Sequence, residues 1–239
     1  MSGVGFSETR FEHLRKLVAV RDRRISTALL TSIGRLMDAA ISGDLCDAAR
    51  WLLNSRLIFL RKKNGSVPRP IRVGEVWCRV IAKRLVHDNR SKVQSLCPAA
   101  RQFGVAVPGG TEGLIHFRTS IEQHISRSSP VLAMIDVDFQ NAFPSVEWDS
   151  IRSVVGKQFP AVSGWARWCH ASESQIILPS GARVQSDRGV EQGDPLGPVY
   201  CALVIAEVCT RVRERLLDRH IDFEDVWFFG LQSVDVSSG

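Results

Sequence analysis

Apolar residues recur at spacings of three and four over much of the first half of the chain. Over residues 11–55 this periodicity predicts amphipathic helices that form a layer over a core, with a break at Gly43-Asp44. The same spacing predicts one helix from Gly74-Glu75-Val76 to about His87 and another over residues 111–125. Between these two helices the polar stretch around Pro98 is expected to be a loop.

Shorter apolar runs bounded by turn residues predict strands. Residues 56–71 have the pattern of a hairpin, with Asn64-Gly65 at its turn. A second hairpin is expected from residues 175–178 and 182–185. Residues 131–135 are five consecutive apolar residues with β-branched ends, which is typical of a buried strand, and residues 226–229 predict a last apolar strand.

Two further helices are expected in the second half of the chain. Ser145 can cap a helix whose apolar face continues to Phe159. Asp194 as a cap and Pro195 at the first helical position predict a long helix that ends at about Leu217.

Composition excludes several classes of protein. The 239 residues are 44% hydrophobic and 23% charged, as expected for a folded globular chain. The six cysteines form no CxxC pair, which argues against structural zinc and a disulfide framework and fits a reducing compartment. No signal peptide or membrane span is visible, so we expect a protein that is neither secreted nor membrane-bound. The net charge of +6 favours anionic partners such as nucleic acid.

The chemistry suggested by the residues concentrates at two places. Asp136 and Asp138 end the strand of residues 131–135, and buried carboxylates need solvent, a cation or a metal. The first hairpin carries Lys62 and Arg69, with other cations at its tip, which suits either a phosphate clamp or a solvated cluster that protects a sheet edge. Gly109-Gly110 allows close backbone approach or positive φ but matches no nucleotide-binding loop.

Six short motifs follow one another along the chain: Lys62-Lys63-Asn64-Gly65, Arg69-Pro70-Ile71, Gly74-Glu75-Val76, Gln102-Phe103-Gly104, Asp138 with Asn141-Ala142-Phe143, and Gln192-Gly193-Asp194-Pro195-Leu196-Gly197-Pro198. In this order and spacing, the motifs resemble a reverse transcriptase of non-LTR (target-primed) retrotransposons. The resemblance covers roughly residues 40–229. A group II intron maturase is a weaker alternative, since Gly-Glu-Val after Arg-Pro-Ile favours the retrotransposon branch.

The resemblance implies an α/β (α+β) fold: right-hand polymerase fingers and a partial palm, with an antiparallel palm sheet backed by helices and no thumb. The expected domains are a helical N-terminal segment (1–55), fingers (56–130), a partial palm (131–229) and an off-pattern tail (230–239). The implied partners are an RNA template, a DNA primer and deoxynucleoside triphosphates, with nuclear action at a chromosomal cut. Nothing in the sequence points to a protein partner.

The resemblance also implies roles for individual residues at the metal and the sugar. Asp138 is the catalytic aspartate that binds Mg²⁺, with two ions in the complete site, and the Phe139 carbonyl can add a ligand. Asp136 is interpreted as a structural or supporting residue. Phe143 falls where an aromatic ring lies beneath the nucleotide sugar and disfavours a 2′-OH. The alternative interpretation is that Phe143 is an ordinary core residue.

Other residues are expected to contact the rest of the nucleotide and the template. By resemblance, Lys62 and Arg69 grip the triphosphate, and Gln192 and Gly193 form the turn near the nucleotide. Further basic residues either follow the template backbone or lie on solvated faces; they are Arg79, Lys83 and Arg84.

The pattern departs from the family after residue 229. The aromatic-x-Asp-Asp motif expected there is absent from residues 230–239. We therefore expect a truncated domain without polymerase activity by itself. The alternative is a non-catalytic RNA- or DNA-binding remnant of such an element.

Overall fold

The computed structural model describes residues 4–61, 68–99, 102–127, 137, 139 and 141–220. The chain divides into two compact units. The first unit comprises Met1–Asn89 and Phe143–Gly197, and the second comprises Arg90–Ala142 and Pro198–Gly239. The predicted division into an N-terminal segment, fingers, palm and tail stays a prediction.

The N-terminal part of the first unit is helical, as predicted. Helix α1 spans Phe11–Val18 and helix α2 spans Arg23–Ser42. The Asp22 side chain caps α2 by accepting hydrogen bonds from the backbone N–H groups of its first turn. Gly43 ends α2 with φ of 80°, a conformation that favours glycine, so the predicted break is confirmed. A 3-10 helix, Asp47–Leu53, follows.

The strands of both predicted hairpins are present and join into one sheet, while the turn expected at Asn64-Gly65 lies outside the described residues. The strands are β1 (Ser55–Leu60), β2 (Arg69–Val73), β3 (Ser174–Ile177) and β4 (Arg183–Ser186), in the order β2-β1-β3-β4. The hairpin pairs are antiparallel, whereas β1 and β3 pair in parallel. The described sheet is therefore mixed. The strands expected at 131–135 and 226–229 lie outside the described residues, so the antiparallel palm sheet stays a prediction.

Helices supply most of the buried apolar residues of the first unit. Helix α3 spans Val76–Asp88, as predicted. The other helical elements of the unit's second half are α6 (Ala142–Ser145), α7 (Trp148–Gln158), a 3-10 helix (Pro160–Val162) and α8 (Ser163–Cys169). Buried side chains on α3, α7 and α8 include Ile81, Leu85, Ile151, Val154, Val155 and Trp165.

Two expected helix starts are wrong by a few residues. Ser145 is the last residue of α6, and α7 begins at Trp148 after Glu147, so Ser145 does not cap it. The long helix begins at Gly197 instead of Pro195. Asp194 still precedes it as a turn residue, because its Oδ1 accepts a 2.9 Å hydrogen bond from the Leu196 N–H.

The second unit contains helices α4 (Arg90–Ala99), α5 (Gly110–Arg127) and α9 (Gly197–Leu217), which starts at the last residue of the first unit. The loop expected around Pro98 is wrong, because α4 occupies this stretch. Val93 and Cys97, four residues apart, are both buried and give the helix an apolar face.

The Gln102-Phe103-Gly104 motif forms a turn held by its own glutamine. Gln102 Oε1 accepts hydrogen bonds from the N–H groups of Gly104 and Val105. A Cβ on Gly110 would lie 1.8 Å from the Phe103 carbonyl oxygen, and Gly109 has φ of 66°. The predicted close approach and positive φ at this glycine pair are therefore confirmed.

The chain has a mixed α/β architecture, which agrees with the predicted class at that level. Among the helices that the structure describes, none is both long and apolar enough to cross a membrane. The arrangement of polymerase fingers and palm stays a prediction.

Candidate functional site

Residues 189–194 form the centre of the candidate site and are called the Gln-Gly segment below, because they contain Gln192 and Gly193. The segment runs from the end of β4 towards α9 within the first unit. Its first two residues are fixed by the backbone: the Gly189 N–H donates to the Val146 carbonyl at 2.7 Å, and the Val190 N–H donates to the Phe143 carbonyl at 2.9 Å. Phe143 and the Gln-Gly segment therefore lie side by side.

The close contact between the Gln-Gly segment and α6 depends on a glycine. Gly189 has φ of 78°, and a Cβ there would lie 2.4 Å from the Pro144 carbonyl oxygen. Trp148 closes the same contact by donating a 2.7 Å hydrogen bond from its indole Nε1 to the Gly189 carbonyl. Trp148 is 7% exposed, so this bond joins two buried groups.

The Gln-Gly segment also contacts strand β2, through an ion pair. Glu191 Oε1 lies 3.7 Å from Nε of Arg72, and both side chains are largely buried. A Cβ on Gly74 would lie 1.5 Å from Glu191 Oε2, so the carboxylate occupies space that only glycine leaves open. Glu191 therefore links the segment to the strand that begins with Arg69.

Arg72 itself links all four strands of the sheet. Its guanidinium donates to three serine hydroxyls: Nε to Ser55 of β1 at 2.8 Å, Nη2 to Ser174 of β3 at 3.1 Å, and Nη1 to Ser186 of β4 at 2.9 Å. Burial lowers the pKa of Arg72, and the nearby Glu191 carboxylate raises it in part. Arginine suits this position because its planar fork directs several donors in fixed directions.

The two carboxyl groups of the Gln-Gly segment are strongly perturbed. Burial raises the pKa of Glu191 from 4.5 to about 7, although the Arg72 guanidinium opposes this effect. Burial raises the pKa of Asp194 from 3.8 to about 6, opposed by its hydrogen bond from the Leu196 N–H. Glu191 therefore titrates near neutral pH.

A cavity of about 50 Å³ lies beside this cluster, lined in part by Arg72, Cys78, Cys169, His170 and Glu191. One water needs about 10–15 Å³ of such space, so a few waters fit. Burial lowers the pKa of His170 to about 4, which leaves its ring neutral at pH 7. Burial also raises the pKa of both thiols, so neither is an activated nucleophile.

The described residues place part of the sequence-predicted site. Gln192 is half-buried, whereas Gly193 is exposed with φ of 92°. Phe143 is half-buried in α6 of the first unit. Phe139 is 45% exposed and belongs to the second unit.

The cationic and acidic residues of the prediction are less fully described. Arg69 begins β2 opposite Leu60, but its side chain lies outside the described part. Lys62, Asp136 and Asp138 also lie outside the described residues.

No metal site can be assembled from the residues that the structure describes, where no three His, Cys, Asp or Glu side chains come together as ligands. The expected ligand Asp138 is outside that part. The two Mg²⁺ ions and the role of Asp138 therefore stay predictions.

Two of the basic residues of α3 have a structural contact that the sequence did not suggest. The Arg79 guanidinium carbon lies 5.1 Å, and Lys83 Nζ 4.6 Å, from the centre of the Phe11 ring. Near the start of α3, buried Glu75 accepts 2.6 Å hydrogen bonds from the backbone N–H and the hydroxyl of Ser7. These contacts attach the N-terminal residues to α3. The expectation that Arg79 and Lys83 follow the template backbone stays a prediction.

Sequence reasoning also missed Arg72, Glu191 and Trp148. The available signal was the charge of Arg72 within the strand β2, since a charged side chain that becomes buried in a sheet needs partners. Its partners come from four separate stretches of sequence, so no local pattern identifies them.

Comparison with known proteins relates the chain to a retrotransposon polyprotein. No family model matches the chain. It is 26% identical, over 175 residues, to the Retrovirus-related Pol polyprotein from type-1 retrotransposable element R2 of Nasonia vitripennis. The aligned region covers 69% of this chain and 17% of that polyprotein, so the chain spans only a small part of its relative. The chain is thus similar to part of a retrotransposon polyprotein.

Proposed function

We propose that the chain is part of a reverse transcriptase domain of a non-LTR retrotransposon, which copies RNA into DNA by nucleotidyl transfer at a chromosomal cut in the nucleus. The observation that carries the proposal is the convergence of three motifs on the Gln-Gly segment. Phe143 contacts it through the Val190 N–H, and Arg72, three residues after Arg69, contacts it through Glu191. The similarity to a retrotransposon polyprotein supports the same function.

In this function each predicted residue has one task. Lys62 and Arg69 bind the triphosphate, because charge-assisted hydrogen bonds to phosphate oxygens are strong. Phe143 lies beneath the sugar, and Gln192-Gly193 borders the nucleotide. Asp138 holds Mg²⁺, which when bound stabilises charge on the reacting oxygens.

The 239 residues contain no adjacent pair of aspartates. A two-metal site needs more carboxylate ligands than Asp138 alone can supply. We therefore propose that this polypeptide binds the deoxynucleotide and nucleic acid but does not extend a primer by itself.

Equilibrium dialysis with dGTP and Mg²⁺ tests the nucleotide site. Truncation of Arg69 removes a charged phosphate contact, and we expect Arg69→Ala to weaken dGTP binding about tenfold. Arg183→Ala is the matched control, because Arg183 is an exposed arginine of β4 whose Nη1 donates to Gln175. Equal dGTP affinity in the wild type and Arg69→Ala would contradict the assignment.

Primer extension on an RNA template tests the catalytic part of the proposal. We expect salt-dependent binding of the RNA–DNA hybrid and no extension by the 239-residue polypeptide. Extension would refute the proposed inactivity, and Asp138→Ala would then have to abolish it. Hybrid binding without any affinity for dGTP would favour a nucleic-acid-binding remnant over a polymerase domain.

A further inference from the structure

We propose that Arg72 and Glu191 are positioning residues that fix the Gln192-Gly193 turn relative to the strand carrying Arg69, and that this link is made when Glu191 is ionised. The inference rests on the proposed nucleotide-binding function and adds to it a pH-dependent control of the same site.

The strand side of the link is rigid. Arg72 is on β2, and its hydrogen bonds to Ser55, Ser174 and Ser186 hold the guanidinium against the three other strands. Any movement of this guanidinium would break several hydrogen bonds of a partly buried group, which is costly. Arg72 is therefore a fixed point from which Glu191 can be held.

The Glu191 carboxylate has a defined place as well as a partner. It lies where a side chain on Gly74 would be, 1.5 Å from the Cβ position, and Gly74 is buried two residues after Arg72. The pair thus combines charge with a shape that only glycine permits. A methyl group on Gly74 would expel the carboxylate without changing any charge.

The turn has little other support at its tip. Gly193 is exposed with φ of 92°, and apart from its two chain neighbours no described residue has an atom within 4 Å of a Cβ built on it. The turn closes through hydrogen bonds at its base: the Asp194 N–H donates to the Glu191 carbonyl at 3.2 Å, and the Gly197 N–H donates to the Asp194 carbonyl at 3.1 Å. Since Glu191 is at this base, holding its side chain determines where the turn points.

The charges around Glu191 make the link sensitive to pH near neutrality. Arg72 and Arg79 favour its ionised form, whereas burial, Asp194 and Glu75 oppose it, and the pKa is raised to about 7. The neighbouring Cys78 thiol stays neutral because burial raises its pKa. Glu191 is therefore mostly protonated at pH 6 and mostly ionised at pH 8, and we expect dGTP affinity to increase over this range.

Two variants of the full chain test the link by different routes. Glu191→Gln removes the charge and keeps the size, whereas Gly74→Ala keeps the charge and fills its place. Glu8→Gln is the matched control, because Glu8 pairs with Arg56 of the same sheet at 3.1 Å in an exposed position. An exposed pair contributes little, so this control should behave as the wild type.

Hydrogen exchange measured by mass spectrometry at pH 8 reports on the turn itself. We expect peptides covering residues 189–196 to exchange severalfold faster in Glu191→Gln and Gly74→Ala, with no change in Glu8→Gln. Unchanged exchange in both test variants would overturn the inference. This readout needs no nucleotide, so it stands even if the wild type fails to bind dGTP, a failure that would refute the proposed function instead.

Equilibrium dialysis with dGTP and Mg²⁺ at pH 6 and pH 8 adds the functional readout. The wild type is expected to bind about five- to tenfold more tightly at pH 8, since ordering a binding loop in advance removes part of the cost of binding. Glu191→Gln should bind weakly at both pH values. If Glu191→Gln keeps the wild-type pH dependence of dGTP affinity, the inference is overturned. A purely structural role for Glu191 would change stability and leave this pH dependence as it is.

Discussion

The indole Nε1 of Trp148 donates a 2.7 Å hydrogen bond to the backbone carbonyl of Gly189, which joins the first turn of α7 to the Gln-Gly segment. Together with the hydrogen bond from the Val190 N–H to the Phe143 carbonyl, this contact fixes the start of the segment, while Glu191 pairs with Arg72. The segment is therefore held both by hydrogen bonds and by an ion pair.

Replacement of Trp148 by Phe should destabilise the protein measurably. The ring stays apolar, but the buried Gly189 carbonyl loses its partner, and an unsatisfied buried group costs about 1–3 kcal/mol. Urea denaturation followed by far-UV circular dichroism measures the change in unfolding free energy. Trp51→Phe is the control, because Trp51 is 45% exposed. Comparable losses in the two variants would show that the hydrogen bond contributes nothing.

Alanine should be tolerated very differently at the two glycines of the Gln-Gly segment, Gly189 and Gly193. Both Gly189 and Gly193 have positive φ, so each Gly→Ala change carries a backbone cost of about 1–2 kcal/mol. At Gly189 the new Cβ would also lie 2.4 Å from the Pro144 carbonyl oxygen, whereas at Gly193 it meets no described atom within 4 Å beyond its two chain neighbours. Thermal unfolding should therefore show a clearly larger decrease in Tm for Gly189→Ala. Equal decreases would contradict the close contact at Gly189.

The elements that the sequence predicted well are those determined by neighbours along the chain. The two hairpins, the break at Gly43 and helices α3 and α5 follow from turn residues and apolar periodicity. The start of α7 was misplaced because Ser145 has the chemistry of a cap and lies close to the true boundary. The loop predicted around Pro98 is wrong because this stretch belongs to helix α4, in which Val93 and Cys97 form a buried face.

The features that the sequence did not predict are non-local. The parallel pairing of β1 with β3 joins Ser55 to Ile176, more than a hundred residues away. The Arg72–Glu191 link similarly requires the folded sheet to exist first. Within the candidate site, the resemblance points to Phe143 and Gln192, whose roles stay predictions, but not to the residues that hold their segments together.

The contact between α2 and α8 depends on glycine, which leads to a third prediction. A Cβ on Gly164 would lie 2.5 Å from the Ile41 carbonyl oxygen and 2.6 Å from that of Ser42. Since these are backbone atoms that cannot rotate away, we expect Gly164→Ala to destabilise the fold by about 1–3 kcal/mol. Chemical denaturation measures this loss.

The matched control for Gly164 is another helical glycine. Gly156 lies within α7, and a Cβ there meets no described atom within 4 Å apart from its chain neighbours and the backbone of its own helix. Alanine is favoured over glycine inside a helix, so Gly156→Ala should be neutral or stabilise the protein by about 0.5–1 kcal/mol. The opposite ranking of the two variants would mean that α2 and α8 do not meet at Gly164.

Stability should depend on pH through two buried groups with opposite effects. The folded pKa of His170 is lowered from 6.5 to about 4 by burial, so the unfolded chain binds the proton more readily. Its contribution to stability is complete above about pH 6.5 and is lost as the pH falls towards 4. The folded pKa of Glu191 is raised from 4.5 to about 7, so its contribution is greatest below about pH 4.5 and is lost as the pH rises to 7.

Single variants separate these opposing slopes in urea denaturation between pH 4 and pH 8. His170→Gln should remove the loss of stability towards acid, so its deficit relative to the wild type should shrink by about 3 kcal/mol as the pH falls from 6.5 to 4. Glu191→Gln should do the reverse and gain relative to the wild type as the pH rises from 4.5 to 7, because the amide never ionises in a buried site. Parallel pH profiles for the wild type and either variant would show that the replaced group has the same proton affinity in the folded and unfolded chain. For Glu191 that result would also remove the basis for pH control of the Gln192-Gly193 turn.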